Sequence, residues 1–102
     1  VKRREKTHRR EYRIPILEAI EELGGDGKVD KILEIVFQKI GHKLTKFDLE
    51  ELPSGGDVRW RNTAQWERER MKREGLLRND SPRGIWEISD KGVAYLERIS
   101  TQ

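Results

Sequence analysis

The chain has 102 residues, 33% of them apolar and 40% charged, with a net charge of +3 and no cysteine. That length suits one domain with a thin core, and the lack of cysteine excludes disulfides and thiolate metal sites. No apolar run approaches the roughly 20 residues that span a bilayer, and no secretory signal follows the basic N-terminus, a profile that fits the cytoplasm and no membrane partner. The first residue is Val rather than Met, as in a piece of a longer protein.

Residues 1–13 hold seven bases and two acids. Val1 to Glu11 shows no apolar periodicity, so residues 1–11 read as a basic flexible arm ahead of one folded domain over 12–102. Such an arm can follow phosphates or enter a minor groove; a solubilising tail is the other reading. The first helix is predicted over Tyr12 to Leu23, with Pro15 near its start, where a missing N–H costs nothing. Its buried stripe is Ile16, Leu17, Ile20 and Leu23. Gly24-Gly25-Asp26-Gly27 reads as turn punctuation, because a phosphate-binding Walker loop requires Ser or Thr after Lys, and Val29 follows Lys28.

Lys28-Val29 suits one short β-bridge. A second helix runs from Asp30 to about Ile40, with Ile32, Leu33, Val36, Phe37 and Ile40 on its apolar face and Gly41 at its end. His42 reads as a surface histidine, since nothing beside it has zinc-ligand spacing. Leu44 to Leu52 is predicted as a short accessory helix, with Thr45 and Asp48 as its capping box and Leu44, Phe47, Leu49 and Leu52 turned inward. Pro53-Ser54-Gly55-Gly56 is a loop, and Asp57 is placed to cap the next helix. Residues 14–58 hold five bases and ten acids.

The central helix is predicted over Val58 to Gly75. Positions three and four apart share a helix face, so Trp60, Ala64 and Met71 form a core stripe, with Leu76 and Leu77 just beyond. Gly75 supplies the left-handed C-terminal cap. Opposite the stripe lie Asn62, Gln65, Glu69, Lys72 and Arg73, flanked by Arg61 and Arg68 on one side and by Arg59, Trp66 and Arg70 on the other. Taken alone, this is also how a solvated face looks, with pairs such as Glu69–Arg73 as plain helix supports. After Gly75 the period changes. Leu76-Leu77-Arg78, the turn Asn79 to Gly84, and Ile85 to Ile88 read as a β-hairpin. A last helix follows Ser89 through Val93, Tyr95, Leu96 and Ile99. Residues 59–83 hold eight bases and four acids, and residues 84–102 two bases and three acids.

This order predicts a mainly α fold with a small β-hairpin, an α+β winged helix-turn-helix. In that architecture the helix before the hairpin reads the major groove and the hairpin wing follows the backbone. Both positive maxima of the folded part fall on those two elements, the footprint of a polyanion-binding face. Arg61, Asn62 and Gln65 are candidates for base edges. Arg59, Arg68, Lys72 and Arg73 suit phosphates, and Arg78, Asn79 and Arg83 are candidates for the wing contact; a polar turn is the alternative for the last three. Trp60 and Trp86 are assigned to the core. Trp66 either packs under the wing or stands exposed toward DNA sugars, and the sequence itself shows no pocket for a modified base.

The segments Pro15-Ile16-Leu17 with Leu23-Gly24-Gly25, Pro53-Ser54-Gly55-Gly56 with Val58-Arg59-Trp60-Arg61-Asn62, and Gly75-Leu76-Leu77 with Arg83-Gly84-Ile85-Trp86 and Ile88-Ser89-Asp90-Lys91-Gly92 together resemble the N-terminal winged-helix domain of Mrr-type restriction endonucleases. The resemblance covers about Tyr12 to Leu96. It implies binding of double-stranded DNA, often modified, by a module covalently linked to a nuclease domain. Glu67 departs from it, standing where that family tends to have a small residue. The nuclease pattern that the resemblance leads one to seek is absent; Asp26-Gly27-Lys28 is a fragment on a turn. No catalytic residue, metal site or cofactor is therefore predicted. A stand-alone winged-helix transcription regulator and a protein-interaction winged helix are the rival readings, and the oligomeric state is left open.

Overall fold

The computed structural model describes residues 5–101. Among these, four α-helices and two short strands follow in the order α1 (Arg13–Glu22), β1 (Asp26–Lys28), α2 (Val29–Ile40), α3 (Arg59–Arg73), β2 (Ile85–Glu87) and α4 (Asp90–Ser100). One 3-10 turn, Arg9–Tyr12, leads into α1, and another, Gly41–Lys43, follows α2. The strands pair antiparallel, Asp26 opposite Glu87, Gly27 opposite Trp86 and Lys28 opposite Ile85. A single bridge, Leu77 to Ile88, brings the chain after α3 alongside. The fold is thus mainly helical with a small sheet, a winged helix, and residues 78–84 form the wing tip.

Apolar spacing accounts for the core. Ile16, Leu17 and Ile20 of α1, Ile32, Leu33, Val36 and Ile40 of α2, and Trp60, Ala64 and Met71 of α3 are all buried, joined by Leu76, Leu77, Trp86 and Leu96. Full burial of one such Leu or Ile side chain contributes about 1.5–3 kcal/mol, so these stripes fix how α1 packs on α2, α3 and α4. Three residues predicted to turn inward lie at its margin or outside it, and one of them, Leu49 of the loop before α3, is 49% exposed. Leu23 is exposed beyond the end of α1. Phe37 is 42% exposed because it closes the core from outside, its ring tilted against Trp60 with centroids 5.3 Å apart.

The accessory helix does not form. Residues 44–52 make hydrogen-bonded turns and return through a Glu51–Val58 bridge. Thr45 and Asp48 do bond reciprocally, as in a capping box (2.8 and 3.1 Å), but the carbonyls that would propagate a helix are used elsewhere. The Asp48 carbonyl accepts the Trp60 N–H (2.9 Å) and the Glu50 carbonyl accepts the Arg59 N–H (2.8 Å). These loop carbonyls satisfy two of the unpaired N–H groups that open α3. Asp57 consequently does not cap that helix. Val58 holds the cap position, and the Asp57 carboxylate accepts the Val58 N–H (2.8 Å).

Residues 5–11, read from sequence as part of a flexible arm, make specific contacts with the fold; Val1 to Arg4 lie outside the described residues. The Thr7 N–H and hydroxyl donate to the two oxygens of Asp48 (2.9 and 2.6 Å). Asp48 is fully buried. Burial by itself pushes its carboxyl up, but hydrogen bonds from Thr7 and Thr45 outweigh that and hold it below the usual carboxylate range.

Candidate nucleic-acid interface

α3 carries six bases and two acids, and one of the acids is hidden. Glu67 is completely buried on the core side. Arg13 Nε donates to one of its oxygens (2.6 Å) and Arg9 Nη1 to the other (3.1 Å). Arg13 also holds Glu74 through two parallel bonds (2.9 and 2.8 Å). The Glu74 hydrogen bond is the main reason the Arg13 guanidinium is held above its ordinary value, and Arg13 in turn holds the Glu74 carboxyl below its own. The one acid that breaks the apolar stripe of α3 therefore anchors the segment before α1.

The first half of the outer face is organised by acids. Arg61 Nε lies 3.3 Å from Asp57 Oδ1, and its Nη2 3.1 Å from Asp30 at the start of α2. Gln65 Nε2 donates to the other Asp57 oxygen (3.3 Å). Arg61 and Gln65 thus converge on one carboxylate. Asn62 stands beside them at a shallow recess of about 240 Å³ between α3 and β2, shared with Trp66, Arg68 and Trp86.

The candidate phosphate ligands are not equivalent. The Arg59 guanidinium sits 3.8 Å above the Phe47 ring. Arg68 lies 5.2 Å over Trp86 and donates to Glu69 (2.8 Å), which Lys72 approaches at 3.5 Å. Arg73 is exposed and makes no salt bridge among the described residues. On the wing, Arg78 grips Asp80 with two bonds (2.9 and 2.8 Å), which raises the guanidinium and depresses the carboxyl. Asn79 and Arg83 are exposed, and Arg83 makes no salt bridge among the described residues. Water screens pairs of this kind, so Lys72 and Arg78 can exchange a carboxylate for a phosphate at small cost.

Trp66, left open by the sequence, is 60% exposed and stands as a ridge on α3. On its other side from the wing, a groove of about 480 Å³ separates α3 from the N-terminal segment. Lys6, His8 and Arg9 line one wall, and Trp66, Arg70 and Arg73 the other. Sequence reasoning did not single out Lys6, His8, Arg9, Arg13 or Arg70 as site residues. For Arg70 a signal existed, since it follows Trp66 by four positions on one helix face. For Arg9 and Arg13 none did, because their partner Glu67 is 58 and 54 residues away in the chain.

Among the described residues no group of three or more His, Cys, Asp or Glu could hold a metal ion, and no helix is long and apolar enough to cross a membrane. The family model for the Mrr N-terminal domain matches residues 10–98. No curated protein and no solved structure matches the chain.

Proposed function

The chain belongs to the family of Mrr N-terminal domains, and from that premise we propose that it is a double-stranded DNA-binding winged-helix module, the DNA-recognition part of a Mrr-like restriction endonuclease whose nuclease chemistry resides on a covalently linked domain. The observation that carries this reading is the helix-plus-wing arrangement of cations. α3 turns Arg61, Asn62 and Gln65 outward in its first half, with Lys72 and Arg73 in its last turn and Arg78 and Arg83 on the wing. The outward side chains of the first half match base edges in the major groove: a guanidinium pairs with guanine, and a carboxamide with adenine. Asp57 holds Arg61 and Gln65 in fixed orientations before any ligand arrives. The last turn and the wing supply the sequence-independent part, neutralising phosphates on either side.

The test is a titration of the chain against methylated and unmethylated duplexes of one sequence, by fluorescence anisotropy at several salt concentrations. Arg73→Ala and Arg83→Ala should each reduce the log–log salt slope by about one. Arg61→Ala should relax base preference by about 1–3 kcal/mol at one position. Preference for the methylated duplex would support the restriction reading, and a slope near zero in the parent would sink the proposal. The acids Asp57, Glu69 and Asp80 interleaved on this face favour a second reading, a protein-contact surface of mixed charge. Binding to duplex no tighter than to heparin would select it.

A further inference from the structure

We propose that the groove between the N-terminal segment and α3 binds one unpaired nucleotide, its base against Trp66 and its phosphate between Arg70 and Arg73. The proposal rests on the DNA-binding reading above and names the part of the DNA that this groove takes.

Trp66 is the first observation. The other two tryptophans are packed away at 6% and 4% exposure, whereas Trp66 is 60% exposed on a helix otherwise charged on that side. A large aromatic surface left in water beside arginines is the chemistry of a base-stacking platform. Stacking is tolerant of sequence, because every base presents a π-face. The cations are the second observation. Arg70 and Arg73 lie on the same helix face as Trp66, and neither makes a salt bridge among the described residues. A guanidinium fork matches a phosphate. Lys6 and His8 face them across the groove. Two acids also line the groove: Glu69 is turned to Arg68 and Lys72 (2.8 and 3.5 Å), and Glu5 stands beside Lys6 on the N-terminal wall rather than on the Arg70 and Arg73 side.

The third observation is that the groove is built rather than a crease between side chains. Its outer wall is pinned by the Thr7 bonds to Asp48 (2.9 and 2.6 Å) and by the Arg9 bond to buried Glu67 (3.1 Å). At about 480 Å³ it falls in the size range of small-ligand sites. A fully paired duplex cannot fill it, since its bases are stacked inside the helix. The occupant is therefore a nucleotide outside the stack, either at a single-stranded end or displaced from within the duplex.

The experiment uses the chain with four probes of one sequence context: a paired duplex, the same duplex with one internal unpaired nucleotide, the duplex with a short overhang, and a free deoxynucleoside monophosphate. Affinities are measured for the parent, Trp66→Ala, Trp66→Phe and Arg83→Ala, with tryptophan emission recorded alongside. Trp66→Ala should weaken binding of the unpaired probes about tenfold, within the range that loss of one base–aromatic stack produces, and paired duplex by less than twofold. Trp66→Phe should keep most of the preference. Emission quenching by the unpaired probes should be present in the parent and lost in Trp66→Phe, because the other two indoles are buried. Whether the bulge, the overhang or the free nucleotide binds best identifies the source. Equal parental affinity for paired and unpaired probes overturns the nucleotide site, as does an equal loss on both in Trp66→Ala. If paired duplex then still binds with a salt slope that Arg83→Ala reduces, only the groove proposal fails. If the parent binds none of the DNA probes, the DNA-binding reading fails with it.

Discussion

Glu67 shows how one residue sets the shape of this surface. A buried carboxylate is costly unless it is paired and hydrogen-bonded, and here each oxygen receives one arginine. The two sides of that network are unequal. Glu67 has no exposed side-chain surface, whereas Arg13 and Arg9 retain 15% and 29%, and Arg13 has Glu74 as a second partner. Removing Arg13 strands a buried charge with only Arg9 at its edge, so Arg13→Ala should cost about 3–5 kcal/mol in urea unfolding. Removing Glu67 leaves two arginines that still reach water or Glu74, so Glu67→Ala should cost clearly less. Equal costs, or the reverse order, would show that the network is not held by the burial of Glu67. The sequence made half of this legible. Helical spacing places an acid beside the stripe of Trp60, Ala64 and Met71, but nothing local names its partners.

At the scale of elements, the junction of α3, the wing and α4 carries the tightest constraint. Gly75 ends α3 with φ +81°, the left-handed region open to glycine. Ser89 then ties the two helices together: its hydroxyl donates to the Gly75 carbonyl and accepts the Gly92 N–H (3.0 Å). Gly92 lies in the first turn of α4, where a Cβ would overlap the Leu76 carbonyl oxygen and crowd Ile88. An exposed helical Gly→Ala change gains about 1 kcal/mol from propensity. Here the overlap is with backbone, which cannot swing aside, so Gly92→Ala should reverse the sign and lower the melting temperature by several degrees, at about 4–8 °C per kcal/mol for a domain of this size. An unchanged or raised melting temperature would mean that α4 can slide. The helices were legible because their stripes repeat at the helical period, and the Ser89 and Gly75 ends because their chemistry is local. The turns over Leu44 to Leu52 were misread as a helix for the opposite reason: their carbonyls serve α3, which a local pattern does not record. The strand pairing was likewise only partly legible. β2 finds its main partner in β1, about 60 residues earlier in the chain, rather than in the segment just before the turn. At the candidate interface, spacing told which residues leave the core, but not that Asp57 gathers Arg61 and Gln65 or that the N-terminal segment forms a wall.

Across the whole molecule, charge is sorted by the fold. The basic segment at the start of the chain is drawn onto acids far along it: Arg9 and Arg13 onto Glu67, Arg13 onto Glu74, and Glu11 onto Lys43 in the opposite sense. Thr7 adds the Asp48 clasp. This arrangement makes stability depend on acid in a definite direction. Asp48 and Glu74 both hold their carboxyls below the unfolded values, which are about 3.9 for Asp and 4.3 for Glu. Below those values the unfolded chain binds protons that the folded chain still refuses. The stabilisation is therefore complete from neutral pH down to about pH 5, and is lost as pH falls through the folded values. Glu74 is half exposed and screened by water, so it contributes little; Asp48, fully buried, dominates. Urea unfolding at pH 7 and pH 3 should show the parent losing stability on acidification. Asp48→Asn should be less stable than the parent at pH 7 and lose less between the two. The same substitution keeps one acceptor oxygen and replaces the other with a donor, which loosens the Thr7 clasp and with it the outer wall of the groove beside Trp66. It should therefore weaken binding of the unpaired-nucleotide probes at pH 7 while leaving paired duplex, which meets α3 and the wing, within about twofold. A variant that loses as much stability as the parent on acidification would assign the acid limb to other carboxylates. A variant that binds unpaired probes as tightly as the parent would show that the groove does not need its N-terminal wall.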